Sequence, residues 1–365
     1  MTRSGPPGFA GTLTSHVMKV AFTSLRQPAR IARREREYHS GVVLSKLVAR
    51  LPYPSPGVQR AVAVAAVISQ AGIGVTGSIV RVTGSGLGCP TWPQCFSGSM
   101  FPVDHPEYAA LNQWIEFSNR MLSGVLVVVS ALCVLMAMRI QQAHPGRRRL
   151  VALAWTMPGG VVAQAVLGGI TVLNDLLWWT VALHFLASTP LVWLAVLFLR
   201  ALREGDEPPR WLIPPLGRRL LAVMVVLLGG ILAAGTLVTG AGPHGGDPDT
   251  PRLQAPIDTL VTVHSGLLIA YLIALAILGI QFVRAGVPAG LWRRYGVLWV
   301  ITLAQGGLGS LQYALGIPEA LVSLHVLGSA VVIVATAVLW CAARDRGPLP
   351  YAGRPTAEAE LATAD

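Results

Sequence analysis

A chain of 365 residues that is 53% hydrophobic and only 12% charged carries about half the charged share of an ordinary soluble domain. That composition excludes a soluble globular enzyme. The net charge of +11 would suit a nucleic-acid binder, but its distribution excludes that class too. Basic residues gather before the first apolar run (Arg30, Arg33, Arg34, Arg36, Lys46, Arg50, Arg60) and after the second (Arg139, Arg147, Arg148, Arg149). They gather again between the fourth and fifth (Arg200, Arg203, Arg210, Arg218, Arg219), after the sixth (Arg284, Arg293, Arg294) and after the eighth (Arg344, Arg346, Arg354). This alternation is the positive-inside pattern of a multi-pass protein of the cell membrane with both termini in the cytoplasm.

In chain order, residues 1–57 hold no apolar run long enough for a cleavable signal. They read as a loosely ordered cytoplasmic arm with a short amphipathic piece near 42–51. Eight apolar runs follow, at roughly 59–80, 121–140, 150–173, 177–199, 219–239, 259–283, 295–316 and 320–342. Lipid cannot satisfy an open backbone, so each run must be a helix. The fold class is therefore an all-α membrane protein of eight transmembrane helices. The charged, proline-bearing segment 201–218 is a cytoplasmic linker, and 343–365 is a cytoplasmic tail, disordered from Gly347.

The segment Ile79–Arg120, between the first two runs, is unlike the rest. It holds Cys89 and Cys95 among prolines and a tryptophan, then Glu116 and Arg120 one helical turn apart. The topology places the cysteines outside, where such a pair reads as a disulfide or as a redox-active dithiol. No second ligand pair stands nearby for zinc. Cys133 and Cys341 fall inside apolar runs, where free cysteine behaves as a small hydrophobe.

The runs also repeat. Thr83-Gly84-Ser85-Gly86 after the first run is matched by Thr239-Gly240-Ala241-Gly242 after the fifth. His184 follows Gln164 by 20 residues, and His325 follows Gln305 by the same 20. The spacing predicts two pseudo-repeated four-helix bundles, 58–200 and 219–342, related by an axis along the membrane normal. The repeat has one conspicuous mismatch: His264, at the head of the sixth run, is matched in the second by Asn119, and Glu116 by Val261.

Ionisable residues inside spans are functional hypotheses by default. His184, His264 and His325 lie about 8–12 Å in from the outer ends of their helices. Equal depth on facing helices is what two axial ligands of one haem require, with glycines allowing close backbone approach. A proton or ion pathway would need mid-span acids, and the runs contain none. Gln164 and Gln305 read as interhelical hydrogen bonders. Glu116 either complements a helix N-terminus or serves a pocket rim as proton shuttle or positioning group. Arg81 and Arg120 either pair with haem propionates or anchor the interface.

The stretch Gly77–Cys95, G-S-I-V-R-V-T-G-S-G-L-G-C-P-T-W-P-Q-C, joins the E-F-x-x-R of Glu116–Arg120, the G-x-G-P-H after Thr239 and the histidines. Together they resemble the haem A synthase family of respiratory oxidase assembly, over about 58–342. The resemblance implies a membrane oxidoreductase that oxidises the C8 methyl of haem O, its substrate, to the formyl of haem A. It implies a haem b cofactor ligated by His264 and His325, a substrate haem ligated by His184, and Glu116 as the essential acid. It implies a structural or redox role for the Cys89–Cys95 pair, and haem O synthase and cytochrome oxidase assembly factors as partners. The electron donor stays open. The family pattern places a histidine where this chain has Asn119, which leaves the substrate haem with His184 alone, or with His105 or His244 as substitutes. The alternatives are a di-haem b-type electron carrier, which wants both sites bis-ligated, and a haem transporter or chaperone.

Overall fold

The computed structural model describes residues 1–2 and 43–350. It divides the chain into two units, Met1–Tyr53 and Pro54–Asp365. In the first unit residues 43–49 are helical, within the amphipathic piece read near 42–51. The expected disorder of the remaining arm and of the tail past 350 lies outside the described residues.

The second unit is built from long helices: α1 (Pro56–Val82), α2 (Ala110–Ala143), α3 (Arg148–Leu173), α4 (Trp178–Ala201), α5 (Pro215–Ala241), α6 (Ile257–Ala285), α7 (Ala289–Ala314) and α8 (Glu319–Ala342). Among the described residues, seven of them, all except α7, are long and apolar enough to cross a membrane. The protein is thus a multi-pass, essentially all-α membrane protein. Helix α7 has the length but carries Arg293 and Arg294 in its second turn and then Gln305, four glycines and Ser310. Those residues dilute its apolar character.

Prolines set the helix starts. Ser55 caps α1, its hydroxyl accepting the Val58 N–H at 3.3 Å, with Pro56 in the first turn. Pro214, Pro256, Pro288 and Pro318 stand immediately before α5, α6, α7 and α8. Helix α6 stops at Gly286, whose φ of 58° is a left-handed cap. Helix α2 begins well before the apolar run starts, so Glu116, Asn119 and Arg120 all ride on it.

Two short strands depart from the all-α expectation. In β1 (Arg210–Trp211) and β2 (Arg344–Asp345), Arg210 pairs with Asp345 and Trp211 with Arg344, antiparallel. The linker is thereby tied to the start of the tail, and Gly205 N–H adds a bond to Gly347 O at 2.9 Å. Beneath this sheet Arg147 is 0% exposed. It donates to Glu204 O and Asp206 Oδ2 at 2.8 and 2.7 Å and to Ala201 O.

Helices α1 to α4 close a ring, each packed along its two neighbours, whereas α5–α6 and α7–α8 form two tight hairpins that approach each other at few points. Helices α1, α4 and α8 join the two groups. Both apolar cores sit mainly toward the sheet end. One is built on Ala63, Ala137, Leu150 and Phe198, the other on Leu221, Tyr271, Leu298 and Leu339. The opposite end, which carries the Cys89–Cys95 loop, is where the polar residues of the helices collect.

Candidate functional site

At the loop end a disulfide joins Cys89 to Cys95, and one ion pair organises everything around it. Glu116 is only 4% exposed, so its carboxylate needs partners on both oxygens. Its Oε2 accepts the Cys89 N–H at 2.7 Å, and its Oε1 accepts two donors of Arg120, Nε at 3.0 Å and Nη2. Arg120 also donates to the carbonyls of Cys89, Thr91 and Gln94 at 2.6, 2.7 and 3.1 Å. A planar guanidinium has a fixed fork of five donors, and here the fork is turned onto the loop. Gly88 permits this close seat, since a Cβ there would stand 2.5 Å from Asn112 O.

The loop reaches the membrane-depth residues through Trp92. A Cβ on Gly169 of α3 would lie 2.7 Å from the Trp92 ring, and one on Gly168 would lie 2.8 Å from His184 Cε1. Adjacent glycines thus seat the loop's indole and the α4 imidazole. Asn119, on α2, accepts the Thr76 hydroxyl of α1 at 2.7 Å. His184 has no hydrogen-bond partner among the described residues.

His264 and His325 face each other across the seam between the two hairpins, ring centroids 6.3 Å apart. His264 Nδ1–H donates to Ile231 O of α5 at 2.9 Å, which leaves Nε2 as its free lone pair. Nδ1 of His325 is buried without a partner among the described residues. Gly309 and Gly235 cradle the rings, with Cβ positions 2.9 and 3.2 Å from His325 Cε1 and His264 Cε1. From α7, Gln305 Nε2 donates to His325 O at 2.9 Å, so this glutamine does bridge helices.

The family model of the Cytochrome oxidase assembly protein COX15-CtaA matches residues 60–244, half of the chain. The chain belongs to this family. It is similar to the Heme A synthase of Geobacillus thermodenitrificans, 29% identical over 36% of this chain and 39% of the relative. It is similar also to that of Shouchella clausii, 32% identical over 38% of this chain and 44% of the relative. For that of Halalkalibacterium halodurans the identity is 28% over 50% of this chain and 62% of the relative. The chain therefore spans about two-fifths of the length of the first two of these curated relatives.

The residues of this family member fit a haem between His264 and His325. Imidazole nitrogens bond metals at about 2 Å, so two rings clamping one ion from opposite sides hold their centroids about 6 Å apart. The glycine cradles point the same way, seating both rings close against helix backbone. His105 and His244 lie elsewhere: His105 stacks on Phe96 at 5.4 Å, and His244 Nε2–H donates to Ile317 O at 2.9 Å. Cys133 and Cys341 are buried free thiols. A small cavity of about 20 Å³ between α1, α4 and α8, lined in part by Gln70, Ser188 and Ser329, has room for about a water. Sequence reading missed Trp92, Thr76 and Arg252 as site neighbours. The W in C-P-T-W-P-Q-C was the one available signal.

Proposed function

We propose that this chain is a haem A synthase, a membrane oxidoreductase converting the C8 methyl of haem O to the formyl of haem A. The observation that carries the reading is the His264–His325 pair, opposed at 6.3 Å in a family whose matched relatives are named Heme A synthase. His264 and His325 would hold a haem b, which when bound supplies electron transfer. His184 would ligate the iron of the substrate haem O in the first half.

The two-bundle design, with α7 as the eighth span, is supported by the turns that precede α4 and α8. Asp175 and Leu176 are left-handed, as are Gly316 and Ile317. Leu176 N–H bonds Thr171 O at 3.0 Å, and Ile317 N–H bonds Gln312 O at 2.9 Å. Each turn leads to a histidine seated on a glycine of the preceding helix, Gly168 or Gly309. The charge pattern supports cytoplasmic termini and a cell-membrane location. The family's description as a cytochrome oxidase assembly protein supports a place in oxidase assembly, where haem O synthase and assembly factors would be partners.

Asn119 separates this reading from a di-haem carrier. Its amide stands at the position that the repeat pairs with His264 and is held by Thr76, so the first half would offer a haem iron His184 alone. Glu116 would act from the rim, where with Arg120 it holds the Cys89–Cys95 loop and Trp92 over the first half. Arg81 donates to Thr239 O and would pair with a haem propionate, while Arg120 serves as the loop clamp. The test is co-expression with a haem O synthase followed by haem extraction and chromatography. Haem A is expected, and retention of both haems with no haem A above background sinks the reading. For the substrate site, the haem O-loaded protein should be high-spin at that iron, with Asn119→His converting it to low-spin. A low-spin bis-histidine spectrum in the unaltered chain would show the Asn119 assignment to be wrong.

A further inference from the structure

The loop ends of α1 and α5 bring two arginines onto one oxygen. Arg81, in the last turn of α1, donates through Nη2 to Thr239 O at 2.8 Å. Arg252, in the loop after α5, donates through Nη2 to the same oxygen at 2.6 Å, and through Nε and Nη2 to Gly242 O at 2.9 and 2.6 Å. One guanidinium suffices to cap these carbonyls at the C-terminus of α5. The second adds a like charge within reach of the same atom, in a partly buried place where repulsion is weakly screened.

Among the described residues neither guanidinium has an ion-pair partner. In the same loop Asp247 Oδ1 accepts the Asp249 N–H at 3.0 Å. Carbonyl oxygens fix the two heads but do not neutralise them, and an uncompensated pair of partly buried cations is costly. The site lies where the two loop-end connections meet, with Gly86 N–H bonded to Gly246 O at 2.8 Å. A Cβ on Gly246 would stand 3.7 Å from Arg81 Cγ.

We propose that Arg81 and Arg252 together form an oxyanion site at the junction of the two halves, binding a carboxylate or phosphate group between them. Arg81 Nε and Nη1 and Arg252 Nη1 donate to no partner among the described residues, and guanidinium N–H groups bind both kinds of oxyanion. A haem propionate would supply the carboxylate and an anionic phospholipid headgroup the phosphate. Only the propionate source rests on the function proposed above.

The test compares full-length wild type, Arg81→Gln and Arg252→Lys, purified with bound haem and placed in nanodiscs of phosphatidylglycerol and phosphatidylcholine. Arg81→Gln removes one hydrogen bond and leaves the Arg252 caps of α5 intact, so it keeps the test open if Arg252→Lys does not fold. Haem loss to apomyoglobin and retained phosphatidylglycerol, read by native mass spectrometry, are measured on the same samples. A propionate occupant predicts at least tenfold faster haem loss in Arg81→Gln with lipid retention unchanged. A headgroup occupant predicts unchanged haem loss and at least tenfold lower phosphatidylglycerol retention, with phosphatidylcholine unaffected. Both readouts unchanged would overturn the site. Wild type purified without haem would remove the proposed function instead, and lipid retention alone would then decide the oxyanion site.

Discussion

The two four-helix groups offer similar residues to the loop end and close in different ways. Helices α1–α4 form a continuous ring roofed by the disulfide loop, with His184 and Asn119 below it. Helices α5–α8 form two hairpins with a seam between them and a histidine on each side. Two opposed imidazoles at 6.3 Å suit a group that stays. One imidazole, an amide and a clamped loop suit a molecule that enters, reacts and leaves. On the proposed function, the residue at the head of the second helix of each group, with the loop above it, would set retention against turnover.

The largest effect should come from the seam. His264→Ala or His325→Ala is expected to abolish the resting haem b spectrum of the purified protein, while His184→Ala leaves it intact. Equal loss in all three would erase the distinction between the halves. Next in size is the clamp: Arg120→Ala strands a buried carboxylate, at a cost of about 3–5 kcal/mol. Thermal unfolding together with protease sensitivity between Cys89 and Trp114 would read that loss, and an unchanged profile would remove the clamp role.

Gly309→Ala and Gly168→Ala should each push an imidazole aside, with a destabilisation of about 1–3 kcal/mol. The first should shift the haem b spectrum and the second should not. Gly307→Ala, with nothing within 4 Å of its Cβ position, is the matched control and should be near neutral in both stability and spectrum. Smallest is Thr76→Val, which removes one hydrogen bond to Asn119, about 1 kcal/mol. Its expected signature is a change confined to the first-half haem spectrum.

The order of the long helices was legible because lipid leaves the backbone a single option, although α7 is a helix of the described residues that falls short of the apolar character of a span. Helix starts were less so: α2 begins at Ala110, within polar sequence that hydropathy does not flag. His264 and His325 were legible as a pair, since an imidazole at lipid depth needs a reason to be there. Asn119 was legible only as a broken repeat. Other assignments depended on where a fork of donors points. Arg120 read as a propionate partner or an interfacial anchor, yet its partners are Glu116 and the carbonyls of the loop some thirty positions earlier. Arg147 read only as one of the topology-setting basic residues after the second run and is fully buried on Asp206 and the linker carbonyls.

The sequence by itself determined the membrane class and the order of the long helices, because these follow from local periodicity and the cost of polar groups in lipid. Tertiary structure alone decided which cations meet which oxygens, how the seam opens and where Trp92 rests. Those outcomes depend on the packing of helices far apart in the chain, and side-chain chemistry read residue by residue carries no record of it.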